Sequence, residues 1–571
     1  MAVVIGALSA LVAWALLRLI WLITNICFHH SFSAAPATPE GNHLGAWVIL
    51  IPVVGALIVG IMARYGSPKI RGHGIPEALE AILLGRSRIE PKVAILKPIS
   101  TAISLGTGGP FGAEGPIIMT GGAFGSLIAQ AFHLTAAERK TLLAAGAAGG
   151  MAAVFSTPIA AVLLAVELLL FEWRPRSFIP VAVAASVSAA LRVPLLGLGP
   201  VFPAPPHEPL SASILLAAAL IGILAGFGSG LMTSLIYGVE DLFEKLPIHW
   251  MWWPALGAIV VGVGGWIDPR VLGAGYDNIQ GLLSGNIIGT ALIALLVGKA
   301  IVWSIALGSG TSGGVLAPLL IVGGALGAVV GRWMPVGDPG LWAMIGMAAM
   351  MGGTMRAPFT GTIFMLEATH DLNALPALLI GCICALGVTV LIMRRSILTE
   401  KLARRGQHIT CEYSIDPFEL LRVGEAMDTT PPVAPATMTV GELSNRIAQE
   451  DPVFTTRQGT LLLDAQNELA GIITRGDLVR ALRKDPSGQT ALLEAGSSKT
   501  IVAFADEPLI DAIHRMVKNN IGRLPVMDRE HPRQVIGYLG RSNVMSARLK
   551  SLEEEELREG GNFGKMLPAQ S

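Results

Sequence analysis

The sequence has little charge, few aromatics and almost no cysteine. Of its 571 residues, 14% are charged and 6% aromatic, against 52% hydrophobic. A soluble globular chain carries closer to a quarter charged residues, so a wholly soluble protein is excluded, as are disordered and fibrous ones. Cys27, Cys382, Cys384 and Cys411 form neither a disulfide framework nor a metal-ligand spacing. The 41 basic and 41 acidic residues cancel, which leaves no excess charge to recruit nucleic acid. The cancellation hides an asymmetry: more than half of the acidic residues follow Gly406, whereas the long apolar runs precede it. The chain therefore reads as a membrane part of roughly 400 residues followed by a soluble part of roughly 165.

What is abundant is glycine and proline, 67 and 36 residues. Val3–Phe28 is too long for a signal-peptide core and lacks a charged leader, so it reads as a retained first membrane helix. Further apolar stretches lie at 45–65, 92–104, 115–132, 141–171, 177–196, 211–236, 249–266, 290–307, 315–332, 340–366 and 374–393. Several are shorter than the ~20 residues of a spanning helix, and Gly and Pro interrupt many. Broken segments are tolerated at membrane depth where they line a cavity, which indicates a channel or transporter rather than an anchor. The basic cluster Arg394, Arg395, Lys401, Arg404 and Arg405 follows the last stretch and places that end, with the soluble part, in the cytoplasm.

The membrane part repeats itself. Gly121-Gly122-Ala123-Phe124-Gly125 returns as Gly323-Gly324-Ala325-Leu326-Gly327, and Gly112–Pro116 matches Gly314–Pro318, both at an offset of 202. Pro158 and Glu167 match Pro358 and Glu367 at an offset of 200. Such paired, interrupted segments point to a binding site near the midplane of a transporter. Three Gly-x-x-x-Pro elements have the chemistry for it: Gly72-His73-Gly74-Ile75-Pro76, Gly112-Ala113-Glu114-Gly115-Pro116 and Gly314-Val315-Leu316-Ala317-Pro318. Proline suits a helix's first turn, glycine lets backbone N–H groups approach a ligand, and a helix N-terminus attracts an anion. Glu114 in such a turn is a carboxylate at membrane depth, functional by default. Ionised, it would occupy the anion's own place; protonated or swung away, it would vacate it. That is the behaviour of a gate.

The soluble part predicts two α/β modules, each a short strand, a turn and a helix start: Glu468–Leu478 in the first and Gln534–Val544 in the second.

The run Gly108–Pro116, with Gly72–Pro76, Gly314–Pro318 and Phe155-Ser156-Thr157-Pro158 leading to Glu167, resembles the CLC chloride channel and transporter family. The resemblance implies an α-helical polytopic membrane protein built from two inverted halves, a homodimer in the lipid bilayer with one anion pathway per subunit. It implies transport of chloride or a similar anion, with no enzyme activity and no required metal or cofactor. The C-terminal modules resemble a pair of CBS domains. Expected boundaries are 1–405 for the membrane domain, 406–422 for a linker, 423–484 and 499–550 for the CBS domains, and 551–571 for a tail. CBS pairs imply an adenine nucleotide; Thr474 and Asp477 match the ribose-contacting pattern, while Gly540 and Asn543 stand at the corresponding positions of the second module.

Four departures from the family pattern bear on mechanism. His73 replaces the usual serine, Leu316 the usual phenylalanine, and Leu398 stands where a tyrosine closes the inner path. Leu168 occupies the position of the inward-facing glutamate of proton-coupled members; Glu167, one residue earlier, is the alternative inner carboxylate of a proton path that begins at Glu114, or else a residue that holds helices together. The sequence therefore favours a gated passive anion channel in the plasma (inner) membrane, with proton–anion exchange as the alternative and a membrane-anchored nucleotide sensor as a reading of another class.

Overall fold

The computed structural model describes residues 1–404 and 421–559, apart from positions 84, 86, 205, 206, 208, 209, 456 and 532. The chain divides into two compact units with the boundary at residue 414.

The first unit is helical. Among the described residues, seven helical segments are long and apolar enough to cross a bilayer: Ala2–His29, Gly45–Tyr65, Pro175–Leu196, Ala212–Glu244, Trp250–Ile267, Thr290–Gly308 and Leu372–Arg404. Shorter helices lie between them, and their order repeats. Ile75–Leu83, Pro91–Gly106, Glu114–Ala131, Ala136–Phe155 and Pro158–Leu164 in the first half correspond to Tyr276–Leu283, Thr290–Gly308, Leu316–Gly331, Pro339–Met355 and Pro358–Thr369 in the second. The two longest apolar runs of the sequence each break into two helices, for one reason. Ser156 at φ 57° and Arg356 at φ 58° take left-handed conformations that end Ala136–Phe155 and Pro339–Met355. Pro158 and Pro358 then open the next helices at a position where a missing N–H costs nothing.

The repeated Gly-Gly-Ala-x-Gly motif serves packing. A Cβ on Gly121 would lie 2.2 Å from the Gly146 carbonyl oxygen, and one on Gly323 would lie 2.4 Å from that of Gly346. Helices Glu114–Ala131 and Ala136–Phe155 thus touch backbone to backbone, as do their counterparts, in the small-residue manner of membrane helices.

The second unit holds two three-stranded sheets of identical topology. Val433–Pro435 pairs parallel with Gly459–Leu463, which pairs antiparallel with Leu469–Thr474. Ala503–Phe504, Arg523–Met527 and Val535–Gly540 repeat the arrangement. The modules exchange segments. Val423 and Ala426 lie in the core of the second sheet with Leu509 and Leu524, and Asp428 exchanges backbone hydrogen bonds with Tyr538 at 2.8 and 2.9 Å. Leu492 joins the core of the first, where Ser497 and Ile472 exchange bonds at 2.9 Å. Each core therefore takes in a short helix from outside its own run of strands.

Candidate functional site

The three Gly-x-x-x-Pro turns meet. The Gly72 N–H donates to the Thr311 carbonyl at 3.1 Å, and Gly112 and Gly314 exchange two bonds at 3.2 and 2.8 Å. Gly72 and Gly74 have φ of 85° and 92°, open to glycine and strained for other residues. A Cβ on Gly74 would fall 2.3 Å from the Gly115 carbonyl oxygen, and one on Gly115 would fall 1.7 Å from that of His73. From this junction the helices Ile75–Leu83, Glu114–Ala131 and Leu316–Gly331 depart, with Pro76, Pro116 and Pro318 in their first turns. Ala113 and Val315 are the residues just ahead of two of these helices. His73, Ile75, Leu316 and Ala317 are buried. The positive ends of these helices thus gather at one junction, an arrangement suited to an anion.

Glu114 lies at that junction. It is fully buried; the Tyr276 hydroxyl donates to its Oε1 at 3.3 Å, and the N–H groups of Glu114 and Ala317 lie beside the carboxylate. A Cβ on Gly314 would come within 2.7 Å of Oε2. Two fully buried lysines flank the junction. Lys97 Nζ donates to the Ile70 and Gly72 carbonyls at 2.8 and 2.7 Å, and Lys299 Nζ to those of Val271 and Gly273 at 2.9 and 2.8 Å. Each pins the turn that precedes a short helix, Ile75–Leu83 or Tyr276–Leu283. A buried ammonium is tolerable only with its protons so engaged.

Sequence reasoning missed Tyr276, both lysines and the second pinned turn. A signal existed: Pro68-Lys69-Ile70-Arg71-Gly72-His73-Gly74 aligns with Pro269-Arg270-Val271-Leu272-Gly273-Ala274-Gly275 at an offset of 201. The match is hidden because no proline follows the second copy.

Comparison with known proteins decides the family. The model for the voltage gated chloride channel family matches residues 54–390. The chain belongs to the CLC family. It is thus a multi-pass anion transport protein of the membrane, and CBS domain models match 423–484 and 496–550. The chain is 30% identical over 389 residues to the H(+)/Cl(-) exchange transporter ClcA of Vibrio parahaemolyticus, covering 64% of this chain and 81% of that one. It is 28% identical over 410 residues to the protein of the same name from Salmonella agona, covering 68% and 84%. Its fold matches that of a slow cyanobacterial Cl-/H+ antiporter with a TM-score of 0.63 at 23% identity, over 71% of this chain and 96% of that one.

In this CLC chain Leu398 is buried on helix Ile397–Arg404. That helix is tied to the first turn: Lys401 Nζ donates to Glu77 Oε1 at 2.8 Å, and the Gly74 N–H donates to Glu77 Oε2 at 2.7 Å. Glu167 lies elsewhere, at the start of helix Pro358–Thr369. It accepts from the Thr360 N–H and hydroxyl at 2.9 and 2.6 Å and from the Phe359 N–H at 3.3 Å. Glu367 does the same for helix Pro158–Leu164, accepting from Ile159 and Ala160 at 3.0 and 2.8 Å. The two carboxylates cap each other's helix starts across the repeat. Leu168 is buried in the π-helical turn Ala165–Leu170.

In the CBS unit Thr474 and Asp477 bind each other. The Thr474 hydroxyl and N–H donate to Asp477 Oδ2 at 2.6 and 2.8 Å, a capping box that opens helix Arg475–Lys484. In the second module the Gly540 N–H donates to Asn543 Oδ1 at 2.9 Å, the same turn without the two bonds of the threonine hydroxyl.

Proposed function

We propose that the chain exchanges protons for chloride or a similar anion, with Glu114 as the group that both gates the anion site and carries the proton. The observation that carries this reading is the Glu114 carboxylate, buried among the helix starts with the Tyr276 hydroxyl on Oε1. Ionised, it competes with the anion for the same donors. Protonation removes its charge and releases it, and an anion enters as the acid leaves. The relatives named as exchangers, at 28% and 30% identity, support exchange over the passive channel that Leu168 favours in the sequence. The inner leg of the proton path then runs either through water or through Glu167, whose oxygens would first have to leave Thr360. The anion site comprises the turns at 72–76, 112–116 and 314–317, with Leu398 facing the inner path.

The assembly is a homodimer in a cytoplasmic (plasma) membrane with the CBS pair in the cytoplasm, and the first module takes an adenine nucleotide at Thr474 and Asp477. The deciding experiment measures the reversal potential of reconstituted protein under a pH gradient at equal chloride. A potential displaced from the chloride equilibrium value establishes coupling; one fixed at that value returns the passive channel.

A further inference from the structure

The fold sets a phenol against the Glu114 carboxylate and builds a frame behind it. Tyr276 opens the helix Tyr276–Leu283 after Gly275, which has φ 71°. The turn ahead of it is pinned by Lys299 on the Val271 and Gly273 carbonyls and by the Asn278 amide, which donates to the Arg270 carbonyl at 2.8 Å. The Tyr276 ring stands edge-on to Phe155 at 6.0 Å and tilted against Phe202 at 5.9 Å. Phe155 in turn stands edge-on to Phe364 at 5.1 Å. Phe202 belongs to the connection between the two halves, and its N–H is fastened to the Ala368 carbonyl at 3.0 Å. A ring held at its base and on its flanks presents its hydroxyl in one place, and that place is Glu114 Oε1, 3.3 Å away. The corresponding residue of the first half is Ile75, which has no hydroxyl.

We infer that Tyr276 is a positioning residue for transport: its hydroxyl holds the ionised Glu114 side chain in the anion's place and thereby sets the pH at which the site opens. This rests on the reading of Glu114 as a protonated gate. A phenol O–H donates to a carboxylate more strongly than to a neutral acid, so it favours the charged, in-place form over the protonated one. The other titratable groups facing Glu114 are Lys299, from helix Thr290–Gly308, and His73, whose carbonyl meets Gly115. Lys299 has carbonyl partners of its own, so Tyr276 is the neutral donor that can be removed without removing a charge.

The test is anion flux from proteoliposomes as a function of pH for wild type, Tyr276→Phe, Tyr276→Leu, Glu114→Gln and the Glu114→Gln/Tyr276→Phe double variant. Tyr276→Phe keeps the ring and its packing and loses only the hydroxyl. Its half-maximal flux is expected to move up by about one pH unit, a tenfold change in proton affinity, and on the Glu114→Gln background the same change is expected to do nothing. A wild-type profile for Tyr276→Phe, with only Tyr276→Leu altered, would show that the ring matters and the hydroxyl does not, and overturns the inference. An effect of Tyr276→Phe that persists without the Glu114 carboxylate overturns it too. If Glu114→Gln itself keeps the wild-type pH response, the gate reading fails and takes this inference with it. If Glu114→Gln is pH-independent while Tyr276→Phe is unchanged, this inference alone fails.

Discussion

Gly112→Ala should expel the Glu114 carboxylate without disturbing the fold. The three atoms nearest a Cβ at Gly112 all belong to one side chain: Glu114 Oε2 at 1.6 Å, Cδ at 2.3 Å and Oε1 at 2.4 Å. Real Cβ atoms do not approach closer than about 3.0 Å, so the carboxylate must withdraw by roughly 1.4 Å. Gly112 is absent from the positive-φ glycines, so alanine fits its backbone, and the displaced group is the end of a rotatable side chain. A rotamer change costs on the order of 1 kcal/mol, far less than moving a helix start. The added methyl stands where carboxylate and anion would both sit, so the expected result is lowered chloride flux with a flattened pH dependence, and a melting temperature near that of wild type. Gly115→Ala is the contrast. There the added carbon meets the His73 backbone carbonyl at 1.7 Å and lies 3.3 Å from Gly314 Cα. The flanking residues of that turn are pinned by Lys97 on the Gly72 carbonyl and Glu77 on the Gly74 N–H. Overpacking of this kind costs about 1–3 kcal/mol and parts the turns, so flux should fall at every pH and the melting temperature should drop. Efflux from liposomes with thermal melting in detergent reads both. If Gly112→Ala behaves like Gly115→Ala, or if it retains the wild-type pH profile, Glu114 does not occupy the site in the way argued.

Three further expectations follow from other parts of the molecule. His207, in the connection between the halves and outside the spanning segments, lies between Asp338 at 2.7 Å and Asp371 at 2.5 Å; Asp338, with Asp371, holds its imidazolium up to about 9. The folded state keeps a proton that the unfolded chain loses near its ordinary value of about 6.5, so this contribution to stability is complete below pH 6.5 and disappears as pH rises through 9. Thermal melting at pH 6 and pH 9.5 should show the loss in wild type and not in His207→Gln. Leu398→Tyr should slow flux and tighten anion binding by adding a hydroxyl to the inner path; unchanged flux and affinity would remove Leu398 from it. Calorimetric titration of full-length protein with ATP, ADP and AMP should show binding that Asp477→Ala weakens about tenfold or more, since the variant loses an acceptor and the Thr474 cap together; equal heats from both proteins would leave Asp477 as a capping residue alone.

Much of the site was legible because its chemistry is written in residue types with few other uses. A glutamate at Gly112–Pro116, among apolar runs, has little to do in a membrane but function, and Gly-x-x-x-Pro announces a helix start at any depth. The short helices Ile75–Leu83 and Tyr276–Leu283 were not visible as apolar runs because nine and eight residues give hydropathy little to average. Lys97 and Lys299 are hard to read for the opposite reason: each lies inside an apolar stretch, and only the carbonyls it meets, 25 to 28 residues away in the chain, reveal what it does. The exchanged segments of the CBS unit were illegible for a topological reason. Pattern reading assigns Val423 to the module that follows it, whereas pairing of Asp428 with Tyr538 carries it to the other.

The repeat itself separates scaffold from chemistry. Where the halves match, they do mechanical work that symmetry can supply twice. Lys97 and Lys299 pin equivalent turns, Glu167 and Glu367 cap each other's helices, and the paired glycines at 121 and 323 let equivalent helices touch. Where the halves differ, two of the differences meet at one point. Glu114 corresponds to Leu316 and Tyr276 to Ile75, and in each pair the polar residue comes from a different half. The hydrogen bond between them at 3.3 Å therefore crosses the repeat. A symmetric cradle would offer an anion two equal faces and no acid. Replacing one apolar residue in each half by a partner for the other gives the cradle a group that can take a proton and another that can hold it in place. That substitution needs no change in the scaffold, because the helix starts, the lysines and the glycines that position it are the parts both halves already share.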